Sequence, residues 1–213
     1  RIGTACGDGA VRVWTAPAAA GVPATDGWPV VYRGDFAAAD APGWAPADGD
    51  WAAAGGVLAG TLSAQAKTGV SIAQATLGAD DLPRTADVTV EVEASAPMLV
   101  GVMLTDPAAG RGWMPLVTGV PRPFGAAGAG LLVVNEKGAA RFALAGPVRP
   151  AELAPGRVHA LRVYREPDRV RLFLDGREVV NERLPAVELP RLMVHGSWGA
   201  AGDTLRVRRV EVR

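Results

Sequence analysis

Hydrophobic and polar residues alternate along much of this chain with a period of two. Val88, Val90 and Val92 interleave with Thr89, Glu91 and Glu93, and Leu205 and Val207 interleave with Arg206 and Arg208. A pattern of that period buries one face of a strand and wets the other. The most informative stretch is 157–184, RVHALRVYREPDRVRLFLDGREVVNERL, in which two apolar-rich runs flank Pro167-Asp168 and a third follows Asp175-Gly176. An Asp-Gly pair between alternating apolar residues predicts a tight hairpin, because the favoured turn needs positive φ at both central positions. Proline has no ladder N–H to give, so Pro167 fits a turn and not a central strand. The stretch predicts an antiparallel three-strand meander.

Further strand-like runs follow one another at short intervals. They are Val30–Phe36, Trp51–Leu62 around Gly55-Gly56, Val70–Leu77, Ala86–Ala96, Met98–Thr105, Gly130–Asn135, Ala140–Leu144, Leu192–Gly196 and Thr204–Val212. Between them, Asp106–Gly128, with Pro107, Pro115, Pro121 and Pro123, predicts one unusually long loop, and Trp44 falls in another. The Ala-rich pieces are broken by Gly and Pro too often to hold a helix. The expectation is an all-β chain, an antiparallel two-sheet sandwich of jelly-roll type over residues 30–213. Ahead of it, residues 1–16 predict a hairpin about Gly7-Asp8-Gly9, and residues 17–29, rich in Ala, Pro and Gly, predict a linker.

Composition narrows the function. Of the 213 residues 49% are hydrophobic, enough for a real core, while Lys+Arg and Asp+Glu both number 22. Zero net charge removes the simplest reason to expect nucleic acid or an anionic membrane as partner, and no apolar run approaches the roughly 20 residues of a spanning helix. Cys6 is the single cysteine, so no internal disulfide framework is expected. The first residue is Arg1 with no signal-like segment after it, so the chain is expected to be part of a longer protein.

Two resemblances enter here. Residues 1–16 resemble part of a WD-repeat blade, with a small-residue strand, an Asp-Gly turn and Val11-Arg-Val13-Trp14. That likeness implies the end of an upstream propeller in the same protein. From Tyr32 onward the order of landmarks resembles the concanavalin A-like lectin/glucanase superfamily, and within it the 3-keto-disaccharide hydrolase-like branch. The landmarks are Phe36 leading to Trp44, and Trp51-Ala-Ala-Ala-Gly-Gly56-Val-Leu58 with Gly60. After them come Asp87–Glu93 before Gly101-Val102, the hairpin at Asp175-Gly176, His195-Gly196 and a last strand ending at Val212-Arg213. The resemblance implies a jelly roll with a carbohydrate-related role. Leu99-Val100-Gly101 and Arg208-Arg209-Val210 stand where that branch carries Asn-Ser-Gly and Arg-Asn-Ile, which argues against an inherited hydrolase activity.

The candidate chemistry is sparse. A glycosidase needs two carboxylates at a set separation, but Glu91 and Glu93 alternate with Val as on a solvated face. His195-Gly-Ser197-Trp198 with Asp203 holds the atom types of a Ser/His/Asp site, yet no nucleophile elbow surrounds it. The two histidines and one thiol make no metal site. Calcium is a lesser possibility, through Asp80, Asp81, Asp106 and Asp203. Aromatic residues carry the binding expectation, since an exposed indole can stack on the apolar face of a sugar ring. Trp113 beside Arg111 and Trp198 beside His195 and Ser197 are the candidates, with Phe124 nearby. The expected function is a non-catalytic, glycan-binding recognition module. A carbohydrate-active hydrolase and a ligand-free structural or protein-interaction domain are the alternatives.

Overall fold

The computed structural model describes residues 23–34, 36–37, 43–64, 71–77, 82–121, 124–135 and 142–213, and the backbone of 2–5 and 11–14. The chain runs through β1 (Ile2–Ala5), β2 (Val11–Trp14), β3 (Tyr32–Gly34), β4 (Trp44–Asp48), β5 (Asp50–Ala54) and β6 (Val57–Thr61). It continues through β7 (Ser63–Ala64), β8 (Ser71–Leu77), β9 (Ala86–Ala94), β10 (Leu99–Asp106), β11 (Arg111–Thr118) and β12 (Gly128–Asn135). The order closes with β13 (Phe142–Leu144), β14 (Val158–Glu166), β15 (Arg169–Leu174), β16 (Arg177–Arg183), β17 (Arg191–Ser197) and β18 (Thr204–Val212).

Two antiparallel sheets of eight strands each form a sandwich. The front sheet runs β13-β12-β11-β10-β17-β8-β4, with β7 beside β8. The back sheet runs β16-β15-β14-β9-β18-β6-β5, with β3 beside β18. Between them lies one apolar core. The back sheet supplies Val88, Val90, Val92, Leu161, Val163, Val207 and Val210, and the front sheet Val100, Val102, Leu104, Leu192 and Val194. Each such side chain contributes on the order of 1.5–3 kcal/mol by leaving water. The alternating valines of β9 therefore face inward, and Glu91 and Glu93 face out to Arg209 and to Arg206 and Arg208.

The meander forms as its turn chemistry predicts. Leu174 pairs with Arg177, which leaves Asp175 and Gly176 as a two-residue turn with φ of 49° and 81°. The opening landmarks have a packing reason too. Trp51 lies directly across from Gly60, and a Cβ at Gly60 would come within 2.6 Å of the indole. Arg165, fully buried on β14, donates to the carbonyls of Val187 (3.0 Å) and Leu189 (2.8 Å), which fixes the crossover that feeds β17.

Three features depart from the sequence reading. Residues 111–118, expected in a loop, form β11 in the interior of the front sheet. Seven of its eight residues are buried because both faces are covered, so the strand shows a continuous apolar run instead of alternation. Pro115 sits opposite Leu131 of β12, and the ladder to β10 is interrupted between the pairs Gly101–Leu116 and Leu104–Trp113, where the proline has no N–H to give. Second, Trp44 begins β4 instead of lying in a loop.

The third concerns residues 23–29, whose composition reads as linker. They lie on the outer face of the back sheet. Arg162 donates to the Pro23 carbonyl (2.7 Å), to Thr25 Oγ1 (2.9 Å) and to both oxygens of Asp87. Thr25 is buried and also hydrogen-bonds Asp87, and Trp28 packs on Tyr164. Residues 17–22 and Cys6 lie outside the described residues. The backbone of β1 and β2 pairs antiparallel as a separate two-stranded sheet.

Candidate functional site

The outer face of the front sheet carries the features most open to chemistry. Strand alternation points Leu192 and Val194 into the core, so Met193, His195 and Ser197 of β17 point outward. Register then builds rows across the sheet. Asp48, Gln74, His195, Gly101, Leu116 and Gly130 are successive partners from β4 to β12. The next row toward the strand ends holds Ile72, Ser197, Leu99, Thr118 and Gly128.

His195 Nε2 lies 2.9 Å from Ser197 Oγ. Burial of the ring in the sheet face lowers its pKa to about 4, so the imidazole is neutral near pH 7. Ser197 is 2% exposed, which leaves its hydroxyl to position the histidine and not to attack a substrate. Asp203, the third member of the sequence-predicted triad, accepts from the Ala200 N–H at 2.6 Å in the loop beyond.

Trp198 stands at the start of that loop. Trp198 has φ of 64°, a left-handed conformation that costs a non-glycine residue energy and persists only where its surroundings enforce it. The loop that follows it is tied to Leu62: Gly202 N–H donates to the Leu62 carbonyl (2.9 Å) and Leu62 N–H to the Asp203 carbonyl (2.8 Å). The indole packs with Phe124 and Met103 on a second apolar cluster of Leu99, Met114, Leu116 and Leu132, on the outer side of the sheet. The face is thus divided. Toward β11 and β12 it is roofed by Trp198 and Phe124; toward β8 and β17 it is a half-open strip of Gln74, Thr76, Met193 and His195.

The structure separates the residues the sequence grouped. Trp113 is 3% exposed in the main core and is no ligand platform: it belongs to a strand, and its parity on β11 points it inward. Arg111 begins the same strand opposite Asp106, whereas Ser197 pairs with Leu99 at the far end of β10. Seven residues of extended chain put Arg111 roughly 20 Å from the Ser197 row. His195, Ser197 and Trp198 do come together. Phe124 joins them, and Gln74 is added by register alone, which no local sequence signal reveals.

The other candidates serve their own turns. Asp106 accepts the N–H groups of Ala108 and Ala109, Asp203 that of Ala200, and Asp80 and Asp81 lie outside the described residues. Among the described residues no three His, Cys, Asp or Glu side chains gather as a metal site would require. A shallow depression of about 320 Å³ lies instead beside the β15–β16 turn, lined by Glu152, Arg157, His159, Asp175 and Arg177. His159 is spent there, since Nε2 accepts the Ala154 N–H and Nδ1 bonds Asp175.

No protein-family model matches the chain, and no curated protein matches it. Solved structures do. Carbohydrate-binding module CBM66 from Bacillus subtilis superposes with a TM-score of 0.58 at 14% identity, over 79% of this chain and 93% of that one. The fold is a concanavalin A-like jelly roll. A prokaryotic β-1,3-1,4-glucanase from a mouse hindgut metagenome matches at 0.59 and 14%, over 85% and 97%. The exoplasmic/lumenal domain of VIP36, in a Ca2+- and Man3GlcNAc-bound form, matches at 0.58 and 11%, over 80% and 83%. The superfamily resemblance is thus met at the level of fold; the WD-repeat likeness of residues 1–16 finds no support in these matches.

Proposed function

We propose that this jelly roll is a non-catalytic glycan-recognition module that binds along the outer face of its front sheet. The observation that carries the reading is Trp198, held in a strained left-handed conformation at the edge of a half-open strip that contains His195 and Gln74. An indole packed on the outer cluster of Leu99, Met114, Leu116 and Leu132 loses little freedom when a sugar stacks on it, and a neutral imidazole and an amide suit hydroxyl groups. The solved neighbours include a carbohydrate-binding module and a structure carrying Man3GlcNAc, which is support from fold analogy.

Hydrolysis is disfavoured by the same face. Among the described residues, Asp48 is the one carboxylate in its cross-strand rows, and two are needed. A glycan array with the purified chain tests the reading. Binding should fall at least about tenfold in Trp198→Ala and in His195→Ala, with no reducing sugar released from any bound glycan. Binding that survives both substitutions, or no binding to any glycan, overturns it.

A further inference from the structure

The outer face of the back sheet carries an uneven load of charge. Leu205, Val207, Val210 and Val212 of β18 fill the core, so Arg206, Arg208, Arg209, Glu211 and Arg213 stand on the other side. Regular alternation could not put both Arg208 and Arg209 there. A β-bulge does. Val207 pairs with Val92 and Arg209 with Glu91, the adjacent residue of β9, which leaves Arg208 as the extra residue, and both arginines are exposed. Arg33 of β3 joins them from the neighbouring strand, directly opposite Glu211.

The charges are layered. Glu93 is held by Arg206 and Arg208, Glu91 by Arg209, and Glu211 by Arg33, Arg209 and Arg213. The side chains of Arg33, Arg206, Arg208 and Arg209 are 62%, 49%, 41% and 51% exposed, whereas Glu93 and Glu211 are 15% and 9% exposed. The carboxylates lie beneath and the guanidinium groups on top, so an ion arriving from solution meets guanidinium first. Ion pairing alone does not explain the number. One arginine would satisfy each carboxylate, and exposed pairs add little stability. The even balance of charge over the whole chain conceals this local excess.

Beside the ridge lies a low shelf. Ala53 and Leu58 point into the core, so Ala52 and Ala54 of β5 and Val57 and Ala59 of β6 point outward. Ala59 is the direct partner of Arg206, and Ala52 is the partner of Ala59. Ala52 and Ala54 are exposed.

We propose that the arginine ridge of β18 and β3, with the alanine shelf along it, binds an acidic polysaccharide, one bearing carboxylate or sulfate groups. A guanidinium fork matches the planar face of either group, and arginines already held in place by the carboxylates below lose little freedom on binding. The level methyl surface suits the apolar C–H faces of sugar rings. Neither ridge nor shelf offers an aromatic side chain on which the bases of a single-stranded nucleic acid could stack.

This surface is on the opposite side of the sandwich from the His195 strip and does not rest on the glycan reading made there. The full chain is titrated with polygalacturonate oligomers and with dextran sulfate; neutral dextran, polyglutamate and single-stranded DNA serve as comparisons. At least one of the two acidic polysaccharides should bind at least about tenfold more tightly than every comparison. That binding should weaken at least about tenfold between about 0.05 and 0.3 M salt. Arg206→Gln combined with Arg208→Gln should weaken it at least about tenfold, while Arg183→Gln on β16 and Trp198→Ala should leave it unchanged. A second readout needs no substitution: the side-chain Nε–H resonances of Arg206, Arg208 and Arg209 should shift on titration, and that of the buried Arg165 should not. Binding of neither polysaccharide, equal binding of polyglutamate or DNA, unchanged affinity in the double variant, loss of binding in Trp198→Ala, or unmoved resonances of the three arginines would each overturn the proposal.

Discussion

Asp175 Oδ2 lies 2.8 Å from His159 Nδ1, and through that bond the tip of the β15–β16 hairpin is tied to the start of β14. The other carboxylate oxygen accepts the Ala160 N–H at 2.9 Å, and the Asp175 N–H returns to the Ala160 carbonyl at 2.9 Å. His159 is 3% exposed, and Asp175, at the rim of the depression beside it, is the acceptor for its ring N–H. Burial works against the Asp175 carboxylate, yet the Ala160 N–H and His159 hold its pKa below the ordinary value.

Removing that acceptor should be costly. Asp175→Ala leaves a buried imidazole N–H and a backbone N–H unpaired, and is expected to lower stability by about 1–3 kcal/mol. Asp175→Asn keeps an acceptor and tolerates positive φ, so it should cost less. Urea denaturation of the pair checks the order; equal losses would mean that the charge, not the hydrogen bonding, carries the effect.

Acid should unfold the protein partly through Glu211. Hydrogen bonds from Arg213 and Arg209, with a further one from Arg33, lower its pKa from 4.5 to about 2. A carboxylate depressed in the folded state stabilises fully above its unfolded pKa, and that contribution disappears as pH falls through the folded value. The melting temperature should therefore decline between about pH 4.5 and pH 2. Glu93, lowered by Arg208 and then Arg206, acts in the same direction. Glu211→Gln should be less stable at pH 7 and show a shallower acid slope; an identical slope would assign the acid response elsewhere.

The amino-terminal boundary can be set by truncation. Thr25, Asp87 and Arg162 form a buried polar knot across the back sheet, so removing residues 1–22 should leave the melting temperature unchanged. Removing 1–30 deletes Thr25 and the Trp28 contact with Tyr164 and should lower it clearly. Equal melting of the two truncations would show that the segment only rests on the surface.

Where one strand face was wet and one buried, the fold could be read from the chain. The meander and β9 are such places, because alternation and a two-residue Asp-Gly turn are local signals. β11 was hidden because a second apolar cluster covers its outer side, leaving Arg-Gly-Trp-Met-Pro-Leu-Val-Thr with no alternation and a proline in its middle. Trp113 was misplaced with it. His195 and Ser197 could be paired from sequence because two residues on one strand share a face. The meeting of Arg33 with the arginines of β18 could not, since they come together only through sheet register.

The docking of Pro23 and Thr25 has a practical meaning for how the molecule is presented. The described chain reaches the sandwich on the back sheet's outer surface, with the full thickness of two sheets between that point and the His195 strip. An attachment made at residue 23 thus anchors the domain by its rear and leaves the opposite surface turned toward solution. On a sensor chip or bead, this is the orientation in which a soluble ligand meets the Trp198 edge unobstructed, while coupling through surface groups near β8 or β17 would cover it.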